Sequence, residues 1–272
     1  MTRPFLASLV LCAGCSELSQ FLPTVSFDGL EIRELTFEQA DVDFVFQVDN
    51  PNPVRMSLAS FDYALELEAV PFLEGDNPDG FTLEPSAGSP LVLPVTLGYA
   101  DIWNTIQATR GEDVVDFLLS GAMGFDTPAG HVDLPYSEDG DFPALRTPKF
   151  SFSDVRVPSF DLLAGTAEVE VDLGVDNELE STLFFENFRY DLTFDDAPVA
   201  SGLLGSFDVG GATAGTVTLP ITVNLLSVGV GVVDAIVSGG TIDLGLDAAM
   251  DVDTPFGIVP LSIDETGAVD LD

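Results

Sequence analysis

The sequence predicts a mostly β protein built as two tandem antiparallel β-sandwich domains, each with one short α-helix. Three observations lead there. Apolar and polar residues alternate along many short stretches. In DVDFVFQVDN, residues 41–50, Val42, Phe44, Phe46 and Val48 share one face, and Asp41, Asp43, Gln47 and Asp49 the other. Most of this stretch recurs as EVEVDLGVDN at residues 168–177. Pro, Gly and Asn punctuate the alternation, as in Asn50-Pro51-Asn52-Pro53, where each proline removes a ladder donor and pushes its preceding Asn out of the helical region.

Taken in order, the chain opens with Arg3 and a brief apolar run, FLASLVL at residues 5–11, too short to span a bilayer. Residues 1–14 therefore read as a cleaved signal and residues 15–23 as a tether. Cys12-Ala13-Gly14-Cys15 resembles the bacterial lipobox, with Cys12 where Leu is usual. That resemblance implies lipidation of Cys15, and Ser16 behind it favours sorting to an outer membrane. Acyl chains would anchor the protein stably, since each buried methylene adds roughly 0.8 kcal/mol. An ordinary signal peptide with incidental cysteines is the alternative.

The first domain is expected over residues 24–146 and the second over 147–272, with a hinge at 145–148. The copies match in order. Ser26-Phe27 corresponds to Ser151-Phe152, and Phe61, Tyr63, Leu65 and Leu67 to Phe188, Tyr190, Leu192 and Phe194. Pro94-Val95-Thr96-Leu97 corresponds to Pro220-Ile221-Thr222-Val223, and Asp126-Thr127-Pro128 to Asp253-Thr254-Pro255. Residues 89–98 read as a strand. Val115, Phe117, Leu119, Gly121 and Met123 alternate as another, matched by the run from Ile242 to Val252. Between these strands the first copy has a helical stretch, 99–110, with Ile102, Trp103 and Ile106 on one face. The second copy has one over 224–238, with Leu226, Val230, Val233 and Val237 in helical register, Asn224 as N-cap and Gly239 as stop. Short strands with Gly/Pro turns and one helix per copy describe an immunoglobulin/fibronectin-III-like sandwich.

Composition narrows function. The chain carries 46 acidic and 8 basic residues, a formal charge of −38, and its single lysine is Lys149. Such a surface repels nucleic-acid phosphates, so nucleic acid is not an expected partner. It suits a protein that stays soluble in salty surroundings. Beyond Cys12 and Cys15 there is no thiol, which removes disulfides, Cys zinc sites and thiol nucleophiles from both domains.

Candidate chemistry is sparse. His131 is the only histidine, on a turn, with no nucleophile motif beside it. Residues 74–80 and 138–141 are oxygen-rich turns, but neither fits a calcium loop, so they read as solvated acids. No catalytic residue, metal or cofactor is called for. Asp49, Asn50, Pro51, Asn52, Pro53, Asp176 and Asn177 form a turn motif in which Asn serves the ends of strands. Ile102, Trp103, Ile106, Leu226, Val230 and Val233 are the candidates for an apolar groove beside the helices. The plainer alternative is that Trp103 plugs the end of its sandwich.

The strand ending in Asp49-Asn50-Pro51-Asn52-Pro53, the Pro-bounded strand before a short helix, and DTPAGHVDLP at residues 126–135 resemble the late-embryogenesis-abundant type 2 family, also called the water-stress-and-hypersensitive-response domain. The second copy keeps Asp253-Thr254-Pro255-Phe256-Gly257 but has Asn177-Glu178-Leu179-Glu180 in place of the double Asn-Pro. The resemblance implies a seven-stranded sandwich with one helix, protection in desiccation or osmotic stress, and no catalytic residues. The expectation is a non-enzymatic, lipid-anchored envelope protein of the outer membrane, whose partners are the membrane and either lipids or stressed proteins. A lipid- or apolar-ligand-binding or transfer module is the alternative.

Overall fold

A computed structural model of the protein describes residues 21–76, 81–106, 113–128 and 130–271. The expected signal, Cys15, the expected tether up to residue 20, residues 77–80 and residues 107–110 expected in the first helix lie outside the described residues. The first repeat contains β1 (Thr24–Leu35), β2 (Gln39–Asn50), β3 (Met56–Leu67), β4 (Val70–Asp76), β5 (Phe81–Leu83), β6 (Ala87–Gly98), α1 (Tyr99–Ile106), β7 (Val114–Thr127) and β8 (Gly130–Pro143). The second repeats the order with β9 (Lys149–Asp161), β10 (Thr166–Asp176), β11 (Leu183–Phe194), β12 (Ala197–Leu203), β13 (Phe207–Val209), β14 (Ala214–Asn224), α2 (Val230–Ser238), β15 (Gly240–Thr254) and β16 (Gly257–Leu271). The protein is mostly β, in two similar halves. Each repeat has eight strands where seven were expected, counting the three-residue β5 and β13.

Alternation does the folding. Along β2, Val42, Phe44, Phe46 and Val48 are fully buried, and along β10 Val169, Val171, Leu173 and Val175 are. Burying such side chains contributes about 1.5–3 kcal/mol each. In the first repeat β1-β2-β6 form one sheet and β4-β3-β7-β8 the other, with β5 on β3. Phe46 of β2 meets Phe61 of β3 at 6.0 Å and Tyr136 of β8 at 5.2 Å, both edge-on, across the interior. The second repeat uses the same pairings, β9-β10-β14 and β12-β11-β15-β16. A parallel pairing of Leu271 with Val155 joins the two sets through β16 and β9.

The duplication extends to details that sequence alignment does not display. Tyr63 of β3 lies opposite Gly75 of β4, and Tyr190 of β11 opposite Gly202 of β12. Each tyrosine ring covers its glycine so closely that a Cβ there would collide with it. The Asp-Thr-Pro hairpins are also alike. Thr127 Oγ1 donates to Gly130 O and Thr254 Oγ1 to Gly257 O, both at 2.8 Å, and both glycines have positive φ, +120° and +116°.

Two expectations need correction. Residues 138–141 lie inside strand β8 and residues 74–76 in strand β4, not in turns. The second helix starts at Val230 with Gly229 at its N-cap, six residues later than expected. Asn224 is no N-cap: its side-chain oxygen accepts from Leu226 N at 2.9 Å, turning the chain as β14 ends. The delay rotates the buried face to Val232, Ala235 and Ile236, and leaves Val230 and Val237 outward. Gly239, φ +78°, ends the helix as expected.

By packing, the described residues form two compact units. One holds those up to Ile32, Val42–Val95 and Asp116–Gly140. The other holds Arg33–Asp41, Thr96–Val115 and everything described from Asp141 onward. The second unit therefore includes α1, the β1–β2 turn and Asp113 together with the whole second repeat.

Candidate functional site

Within that second unit, α1 sets one wall of an open groove of about 300 Å³, lined by Phe37, Tyr99, Trp103, Leu145, Arg146 and Glu178 among others. Tyr99 and Ile102 anchor the helix in the core. The Tyr99 hydroxyl donates to Pro143 O at 3.1 Å, and burial pushes its pKa up, so it stays a neutral donor. Trp103, half-buried, donates from Nε1 to Leu145 O at 3.3 Å, and the Arg146 guanidinium lies 3.9 Å from its ring centroid. Glu178 pairs with Lys149 at 2.6 Å and with Arg146 at 3.9 Å. Aromatic and aliphatic side chains line the groove together with Glu38, Thr147 and the largely buried Arg146–Glu178 pair, a geometry that can hold an apolar group.

Of the expected groove residues, Trp103 lines this groove. Ile102 is wholly in the core, and Ile106 and Val233 are half-buried. Leu226 and Val230 are 86% and 87% exposed and stand on open surface, because the late start of α2 turned them outward.

The turn motifs are built alike in both repeats. Asn50, at the end of β2, donates from Nδ2 to Val54 O at 2.9 Å and Glu84 O at 3.0 Å, and accepts from Asn52 N at 2.9 Å. Asn177 donates to Ser181 O at 2.8 Å and Gly210 O at 3.1 Å, and accepts from Leu179 N at 3.0 Å. Both side chains are buried. Asn52, also buried, donates to Phe21 O at 2.7 Å; its counterpart Leu179 fills the same kind of position with an apolar group. Pro51, Pro53 and Asp49 are exposed, and Asp176 is half-buried. A contact that the sequence did not announce joins Asp113 to the Asn177 turn: its carboxylate accepts from Glu180 N at 2.7 Å, Ser181 N at 3.0 Å and the Ser181 hydroxyl.

His131, on β8, is exposed between two carboxylates. Nδ1 lies 3.0 Å from Asp126 Oδ1 and Nε2 lies 3.1 Å from Asp133 Oδ1. These hydrogen bonds, Asp126 first, raise its pKa above the ordinary 6.5. Among the described residues no group of three or more His, Cys, Asp or Glu is placed to hold a metal, and no helix is long and apolar enough to cross a membrane.

The fold and site define a class: a tandem β-sandwich protein with asparagine-locked turns and a small apolar groove beside its first helix. A family model described as "Late embryogenesis abundant protein" matches residues 45–140 and 172–267, more than half of the chain. The protein belongs to that family, of type 2 as the turn motifs indicated. A desiccation-related protein of Arabidopsis thaliana is 24% identical over 127 residues, covering 46% of this chain and 76% of its own. Family and relative support a stress-related role. Among solved structures, a protein from Archaeoglobus fulgidus is similar at 12% identity and TM-score 0.33, over 43% of this chain and 97% of that one. An adhesin from Mobiluncus mulieris is similar at 6% and 0.29, over 92% and 98%. At those scores neither adds to the fold described above.

Two outcomes are expected. Asn177→Ala leaves the carbonyls of Ser181 and Gly210 and the Leu179 amide without their partner, and Asn50→Ala does the same in the first repeat. Each should lower unfolding free energy by about 3 kcal/mol in a urea titration. A loss under about 0.5 kcal/mol would mean the turns do not need the side chain. For His131, a folded pKa raised above the unfolded value means that its contribution is full below the unfolded pKa and is lost as pH rises through the folded one. The lone imidazole should titrate by NMR with a midpoint above 6.5, lowered by Asp126→Asn; a midpoint at or below 6.5 contradicts the bridged geometry.

Proposed function

We propose that the protein is a non-catalytic envelope protein, anchored through lipidated Cys15 at the outer membrane, that protects in desiccation or osmotic stress. The observation that carries this reading is the division of the strands. The apolar faces of β2 and β10 are consumed by the cores, while their outer faces carry Asp41, Asp43 and Asp49, and Glu168, Glu170, Asp172 and Asp176. At a formal charge of −38 the surface is strongly hydrated, and the molecules stay dispersed among stressed proteins until concentrating salt screens their repulsion. Family membership in both repeats and the desiccation-related relative support it. The test is a dehydration-sensitive enzyme dried with the protein and rehydrated. Activity should be retained well beyond that with an equal mass of serum albumin, and parity with albumin overturns the protective role. Protein extracted from membranes should begin at Cys15 and carry acyl mass; an unmodified start overturns the anchor.

The groove beside Trp103 favours a second reading, an apolar-ligand or lipid-binding module of the envelope. Its volume, about 300 Å³, lies at the lower end of the range for small-molecule sites. Native mass spectrometry of the purified chain decides. A stoichiometric lipid-sized adduct lost in Trp103→Glu supports ligand binding. A clean apo mass after incubation with phospholipid and fatty acid overturns it.

A further inference from the structure

Each repeat receives its chain at the asparagine turn, and the two do so by different means. Thr24 opens β1 and Lys149 opens β9, so Phe21 and Arg146 hold the same place, three residues upstream. In the second repeat the entering segment supplies its own contacts. Arg146 reaches Glu178 at 3.9 Å, and Thr147 Oγ1 donates to Phe37 O at 3.2 Å. In the first repeat Phe21, Leu22 and Pro23 have no polar side chain with which to do this. The turn supplies the donor instead: Asn52 Nδ2 donates to Phe21 O at 2.7 Å. Asn52 is 2% exposed and its backbone is fixed on both sides, its N–H donating to Asn50 Oδ1 at 2.9 Å and its carbonyl accepting from Ser86 N at 2.8 Å. Phe21 and Asn52 share an open cleft of about 220 Å³ with Thr127 and Pro128 of the facing hairpin. Leu179 stands in the place of Asn52 in the second repeat and offers no donor.

This clamp sets the length of a leash. Phe21 is six residues from Cys15, a stretch that reaches at most roughly 20 Å when fully extended. Released as far as Thr24, the leash would be nine residues, roughly 30 Å. Strand β3 starts from the same end at Met56 and carries the chain to the Glu68–Ala69 hairpin, roughly 40 Å away. A leash of half that length cannot let the first repeat invert over its own anchor. The clamped end has little lipid affinity of its own. Its exposed apolar groups, Phe21 and Val54, share it with the Arg55–Glu84 pair and with His131 between Asp126 and Asp133. Neither a broad apolar face nor a basic cluster draws it to a bilayer.

We infer that Asn52 clamps the tether at Phe21, so that the lipid anchor holds the Asn50 end of the first repeat toward the bilayer surface and the Glu68–Ala69 hairpin away from it. The surface it faces is the headgroup layer of the membrane that takes the acyl chains. The orientation rests on the lipidation of Cys15 proposed above; the clamp itself does not.

Acylation consumes the Cys15 thiol and Cys12 leaves with the signal, so one introduced thiol can be labelled selectively. Acylated Val54→Cys and Ala69→Cys, each carrying a fluorescent donor, are reconstituted in phosphatidylcholine vesicles with acceptor-labelled headgroups. Energy transfer should be several-fold greater from position 54 than from position 69. Adding Asn52→Leu, the side chain that the second repeat uses, should lower that ratio with circular dichroism unchanged. Equal transfer from the two positions overturns the orientation, and a ratio that Asn52→Leu does not move overturns the clamp. Protein that fails to float with the vesicles overturns the anchor and the orientation with it. The clamp is then read in unacylated Cys15→Ser, where chymotrypsin should cut after Phe21 several-fold faster once Asn52→Leu is added; equal rates overturn it. Flotation of Cys15→Ser with the same vesicles overturns the leash, because the end would then bind lipid unaided.

Discussion

Each repeat depends on one buried amide. Asn50 and Asn177 sit where a core strand must stop, and the chain beyond it must cross to the other sheet without leaving bare backbone groups inside. A side-chain amide offers two donors and an acceptor at one point. In both repeats those atoms bind two carbonyls on separate segments and an amide two residues on. Alanine would leave the carbonyls dry, and aspartate would bring oxygen against oxygen. The strand therefore ends at the same residue type twice, although the residues that follow it differ.

With the turns locked, the acidic composition is tolerable because of where the few cations stand. Arg156 is the clearest case. It reaches Asp172 at 2.6 Å, Asp154 at 2.9 Å and Glu170 at 3.1 Å, and its proximity holds the Asp172 carboxyl below its ordinary pKa. Exposed pairs of this kind stabilise by only about 0–1 kcal/mol each. Their greater effect is to interrupt runs of carboxylate on adjacent strands, where like charges opposite one another would oppose pairing. Arg55 with Glu84, and Lys149 and Arg146 with Glu178, do the same at the turns.

The strands were legible because a period of two survives any tertiary context that buries one face, and β2 and β10 follow it residue by residue. The duplication was legible for the same reason. Helix α2 was misread in extent and face. Leu226, Val230, Val233 and Val237 have helical spacing, but Asn224 prefers to hydrogen-bond the next turn, and Gly229 and Gly231 weaken the helix before it can extend upstream. The hairpins at Glu68-Ala69 and Asp195-Asp196 were also invisible. Both residues of each pair take positive φ without glycine or asparagine to announce it, because strand twist imposes the turn. Of the candidate groove, only Trp103 could be read locally. Phe37, Arg146 and Glu178 reach it from distant sequence, and the Asp113 clasp spans 67 residues with no local signature at all.

Differences between the repeats carry more functional information than their likeness. Core and hairpin positions are kept in kind: Phe61 and Phe188 are buried in each core, Tyr63 and Tyr190 cover a glycine, and Thr127 and Thr254 close a hairpin. The end positions are not. Phe37 is covered while Leu163 is bare, and the Asn177 turn pairs Glu178 with Lys149 and Arg146 where the Asn50 turn pairs Arg55 with Glu84. A duplicated sandwich needs only its interior to fold, so the turns at its ends are free to differ. Electrostatic repulsion between chains this acidic is screened as salt concentrates, the Debye length falling to roughly 3 Å at 1 M. Apolar contact is not screened and, with excluded salts, is strengthened. Drying therefore weakens the repulsion between these acidic chains and leaves the apolar cores of both repeats intact, in the conditions to which the family's stress-related role points.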